Sequence, residues 1–189
     1  MHIILYQGGA HGDLVSSLID RTDYIVGTDK IISLPTRQLV ANLSNDPFRS
    51  NEAQSKREME FAQIDSRIEI LRTKYSAVSS HLFHYFLNRN HKFILIDSSA
   101  PGITERCVRR AECLTKGQHF YSNKVVIQVR MYLELLKQKT NMIIDYHDII
   151  EGRLITTLQQ WVDTPLNEDI YKKFMRKILP NNINNYDFW

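Results

Sequence analysis

Cysteine is scarce in this chain: Cys107 and Cys113 are the two among 189 residues. They stand six apart in a segment with helical patterning, so they face different sides and match neither a metal-ligand nor a redox spacing. Both read as core or surface thiols in a reducing, cytoplasmic compartment. Long apolar runs are missing as well. None approaches the ~18 residues that a bilayer-spanning helix needs, and no basic segment precedes the apolar residues at the amino terminus. A membrane partner and a targeting segment are therefore not expected. Internal repeats and long low-complexity stretches are also lacking, which favours one compact domain over residues 1–189 with a short polar tail over 180–189.

What is present is globular in character, with 43% hydrophobic and 24% charged residues. The net charge of +3 is unevenly spread. Residues 101–139 hold eight Lys or Arg against three acids, whereas residues 140–189 hold five against seven. The basic middle is either a solvated helix face or a place for an anionic ligand.

Along the chain, "HIILY" reads as a buried strand and "DLVSSLID" as a helix with Leu14, Leu18 and Ile19 on one face and Asp13 as its N-cap. "KIISLPTRQLVANL" suggests a short strand and then a helix with Pro35 in its first turn. A long helix follows, with an apolar stripe of Met59, Ile64, Ile68 and Leu71. "SAVSS" is a brief extended run, a short helix comes next, and "KFILID" is the clearest strand. Helices through "ITERCVRRAECL" and "NKVVIQVRMYLELLKQK", a strand at "NMIIDY", and two closing helices, "GRLITTLQQWVD" and "NEDIYKKFMRKIL", complete the reading. Strands alternating with helices predict an α/β fold whose central, mostly parallel sheet is flanked by helices. Ligands of such sheets bind outside the carboxyl ends of the strands. The candidates for chemistry are thus residues 8–13, 79–81, 97–99 and 146–148.

"GGAHGD" places Gly8, Gly9, Ala10, His11, Gly12 and Asp13 between strand and helix. A phosphate cradle needs backbone amides in unusual dihedrals ahead of a helix amino end, and this segment meets both conditions. A tight turn without a ligand meets them equally. It is not a Walker loop, because Asp13 and Leu14 follow Gly12 where Lys and Ser or Thr are required, so ATP hydrolysis is not expected. His81 ends an extended run and is the best candidate for a general base. His84 lies three residues on, but the pair lacks a third ligand and no metal is expected. Arg106 and Arg110 share a helical face after the "KFILIDSS" strand, where Ser98 and Ser99 add hydroxyl and amide donors for a phosphate.

Taken in order, these places resemble the sulfotransferase family of P-loop-like α/β proteins. The resemblance implies that the first loop wraps the 5′-phosphosulfate of 3′-phosphoadenosine 5′-phosphosulfate and that His81, in "SSHLF", is the catalytic base. It implies that "KFILIDSSAPGITER" binds the 3′-phosphate, and that the segment from "NMIIDY" to the last helix is the family's closing unit. The family's loop lysine has no counterpart, since "GGAHGD" offers only His11. Asp97 and His147 stand where that family has arginine and an acid, and its closing Arg-Lys-Gly segment is absent. Two expectations follow: a transferase binding this nucleotide and an acceptor hydroxyl, or a non-catalytic protein of the same fold that acts through a protein partner, by way of residues 186–189 or the basic helix. Nucleic acid ranks last as a partner, because no recognised nucleic-acid module is present.

Overall fold

A computed structural model describes residues 1–21, 38–39, 54–114 and 122–182. Strands β1 (His2–Leu5), β2 (Gln38–Leu39), β3 (Ala77–Ser80), β4 (Ile94–Asp97) and β5 (Ile143–Asp145) form one sheet in the order β2-β3-β1-β4-β5. Every pairing is parallel. Four strands make its body, and β2 adds two residues at one edge by pairing with Ser79 and Ser80. The expected α/β class with a parallel sheet flanked by helices is what the chain adopts.

Side-chain alternation along β1 explains how the helices divide between the two faces. Ile4 and Tyr6 point to a layer built on α1 (Gly12–Asp20), α6 (Tyr146–Ile150), α7 (Leu154–Leu158) and α8 (Glu168–Asn182). Ile3 and Leu5 point to a layer built on α2 (Gln54–Arg72), α3 (Phe83–Asn88) and α5 (Asn123–Lys137). Helix α4 (Ile103–Leu114) contributes Ile103 and Cys107 to the first layer. Helix α8 is held there by Tyr171, whose hydroxyl donates to the Ile149 carbonyl at 2.7 Å. Among the described residues no helix is long and apolar enough to cross a membrane.

Several expectations need correction. Gln38 and Leu39 form β2 rather than a helix turn after Pro35, because the open edge of β3 supplies ladder partners that helix propensity cannot outweigh. The strand expected just before it lies outside the described residues. Met59 is 66% exposed, and Phe61 takes its place beside Ile64, Ile68 and Leu71 in the core. The strand at "NMIIDY" stops at Asp145, whose carboxylate accepts from the His147 amide at 2.8 Å and starts α6. Helix α8 runs on to Asn182, so the expected tail is helical over 180–182. Residues 183–189 and the side chain of Cys113 lie outside the description.

Candidate functional site

The chain leaves the central strand at Tyr6, whose amide donates to the Ser80 carbonyl at 3.1 Å, one residue beyond β1. It then turns tightly, with the Ala10 amide donating to the Gln7 carbonyl at 2.9 Å. Gly9 has φ +86°, and a Cβ there would lie 2.3 Å from the Cys107 carbonyl oxygen, so α4 presses on this turn through backbone. At Gly12 a Cβ would fall 2.1 Å from the Tyr6 ring. Close approach by α4 and Tyr6 therefore accounts for both glycines.

His11 stands between them at φ 61°, in the left-handed region ahead of α1. Its ring is buried, edge-on to Phe174 at 4.9 Å and stacked beside Tyr146 at 5.9 Å. Arg110 places Nη1 2.5 Å from His11 Nε2, so the guanidinium donates and the imidazole accepts. Burial first, and then the Arg110 charge, hold the His11 pKa well below its usual value and keep the ring neutral. Asp13 is not the N-cap. That position belongs to His11, which makes no side-chain cap, whereas Asp13 Oδ1 accepts from Ser79 Oγ and ties α1 to β3.

His81 follows β3 directly and is exposed. Its Nδ1 lies 2.9 Å from the Tyr6 carbonyl oxygen, and its ring packs on the Tyr6 ring at 4.1 Å. A carbonyl only accepts, so Nδ1 carries the proton, and in the neutral ring the lone pair resides on Nε2.

At the exit of β4, Asp97 Oδ1 accepts from the Ser99 amide at 2.9 Å. Lys137 Nζ, on α5, donates to Asp97 Oδ2 and to Ser99 Oγ, each at 3.1 Å. Ser98 is fully buried, and its Oγ has no hydrogen-bond partner within good geometry among the described residues. The Cys107 thiol lies alongside. Burial pushes that thiol up to about 12 against the pull of Arg110, Arg106 and a weak contact with Ser98, so it stays protonated at neutral pH. Tyr146 is raised chiefly by burial, again with both arginines opposing. Arg106 also donates from Nε to the Gly102 carbonyl of its own helix at 3.1 Å. Among the described residues no three His, Cys, Asp or Glu side chains are grouped to hold a metal ion.

The fold thus brings the expected glycine turn against α4, with Gly8 facing Ala111, Gly9 facing Cys107 and His11 bonded to Arg110, while Ser98 lies beside the Cys107 thiol and Arg106 bonds back to Gly102. His81 joins this group through Tyr6, whose ring touches it and crowds Gly12. Ser99 is drawn to α5, and Asp13 to β3. Tyr6, Phe174 and Lys137 were not legible as site residues. Tyr6 looks like the last residue of an apolar strand, while Phe174 and Lys137 arrive from helices distant in sequence. No family model, curated protein or solved structure matches this chain.

Proposed function

We propose that the carboxyl edge of β1, β3 and β4 carries a sulfotransferase-like group-transfer site, taking a phosphorylated adenine nucleotide of the 3′-phosphoadenosine 5′-phosphosulfate type and an acceptor hydroxyl. The observation that carries this reading is the fixed tautomer of His81 at the end of a strand adjoining the central one. His81 Nε2 would accept the proton of the acceptor hydroxyl as its oxygen bonds to the sulfur of the transferred sulfo group. The donor would supply that group, its bond from sulfur to the 5′-phosphate oxygen breaking so that adenosine 3′,5′-bisphosphate leaves with the electron pair. Supporting features are an all-parallel sheet whose glycine turn runs from the central strand into a helix, and a strand order that changes direction at β1 between β3 and β4. The residues fit an anionic ligand in two further respects. Helix α1 begins without a side-chain cap, and Ser98 Oγ is a buried hydroxyl beside the Cys107 thiol of α4, which the Arg110 and Arg106 charges also reach. In this reading Gly12 and Asp13 offer amides to one phosphate, and Arg106, Arg110 and Ser98 serve the other.

The test is thermal unfolding with millimolar adenosine 3′,5′-bisphosphate. A ligand at 100 times its Kd stabilises the native state by ~2.7 kcal/mol, so the midpoint should rise. His81→Gln should keep that rise and Arg110→Ala should lose it. An unchanged midpoint for the unaltered protein overturns the reading.

One observation favours a second reading, a non-catalytic binding protein of this fold. The Arg110 guanidinium is already engaged by His11 inside the loop, where the resembling family has a lysine. That reading stands if the bisphosphate fails and a protein partner is retained by His81→Gln.

A further inference from the structure

Arg110 lies across the nitrogen edge of the His11 ring, with Nη1 2.5 Å from Nε2 and 3.1 Å from Nδ1. The ring is covered while the guanidinium is part exposed, so an anion in solution meets Arg110 first. Of the groups packed around the imidazole, Tyr146 of α6 keeps its proton at neutral pH, as does the Cys107 thiol of α4 beside it, and Phe174 of α8 is apolar. Arg106 adds a second positive charge, which reaches Tyr146 and Cys107. The carboxylates on the adjoining chain ends are engaged elsewhere: Asp13 with Ser79, Asp97 with Lys137 and Asp145 with His147.

We infer that His11 takes up a proton when a phosphate of the nucleotide settles on Arg110, so that the ligand is held by an imidazolium as well as a guanidinium. This rests on the group-transfer reading above, in the part that gives Arg110 a phosphate. An Arg110 N–H that turns to phosphate no longer serves Nε2, and a buried acceptor left without a donor is costly. Protonation converts Nε2 from acceptor to donor, directed at the same anion. The phosphate also offsets the Arg110 charge, which together with burial keeps the ring neutral in the free chain. The proton comes from solvent and returns there when the nucleotide leaves. Binding and protonation are thereby linked, so each strengthens the other as the pH falls through the histidine range.

The Cε1–H resonance of His11 in the full chain, assigned through backbone connectivities, reads the ring's charge directly as pH is varied. With saturating adenosine 3′,5′-bisphosphate its titration should move up by at least ~1 pH unit from that of the free chain, the effect of an opposite charge nearby. Calorimetry at about pH 6.5, in buffers of different ionisation heat, should show the unaltered chain taking up at least ~0.3 more protons on binding than His11→Asn. That comparison cancels the ligand's own titration near pH ~6. Bisphosphate that binds, by its heat and by the rise in melting midpoint, yet leaves the His11 titration where it was overturns this inference and leaves the group-transfer reading standing. An equal proton count in the two proteins overturns it likewise. No binding at any pH overturns both.

Discussion

His11 concentrates the chemistry of the first turn in one side chain. A residue that accepts a left-handed backbone, a flat ring that fits between Phe174 and Tyr146, and an acceptor for Arg110 are all required there, and histidine meets each need. Because its native pKa is held well below 6.5, the unfolded chain binds the extra proton between the two values. Stability from this group is therefore full above about pH 6.5 and is lost as the pH falls below it, by up to about 1.4 kcal/mol per pH unit. Urea unfolding at successive pH values from 7.5 down to 5 should show that slope, and His11→Asn, which tolerates the same backbone, should flatten it. His2 and His84, lowered chiefly by partial burial, account for a residual slope of the same sign. An unchanged slope in the variant would mean that the ring is solvated in the native state. None of this was legible locally, since the partners of His11 stand about 100 or more residues away in sequence.

Among the helices, α2 shows both the power and the limit of periodicity. Ile64, Ile68 and Leu71 were legible as one face and are buried. Met59 was grouped with them, yet five residues turn a helix through ~500°, which leaves it ~140° from Ile64, whereas Phe61 falls in line. Ile68→Ala should therefore cost about 2–5 kcal/mol in denaturant unfolding, and Met59→Ala should stay within about 0.5 kcal/mol. Equal effects would mean that α2 is rotated about its axis. The same helix is fastened to α3 by polar contacts: the Tyr85 hydroxyl donates to Asp65, His91 joins both, and Arg89 pairs with Glu58 while lying over the Phe61 ring. Burial would raise Asp65, but the bonds from Tyr85 and His91 and the Arg89 charge outweigh it and hold the carboxyl low.

In the molecule as a whole, two apolar layers share one thin sheet. Ile3 and Leu5 belong to one layer, Ile4 and Tyr6 to the other, so neither layer keeps its floor if β1 is lost. Unfolding should accordingly be a single transition, coincident by near- and far-ultraviolet circular dichroism. Phe174→Ala in one layer and Ile68→Ala in the other should each shift that same transition. Two separable steps would show that the layers hold independently.

Periodicity and composition were enough for the class of fold, the strands of the sheet's body and most helices, because each depends on which residues seek burial and at what spacing. They also placed His81 and the glycine turn after strands, and both adjoin the carboxyl ends of strands of the sheet. The two-residue β2, the start of α6 and the inward turn of His11 depend instead on partners far away in the chain. Ladder hydrogen bonds to β3, the Asp145 cap, and the meeting of Arg110, Tyr146 and Phe174 around one imidazole come into being only when distant segments pack together.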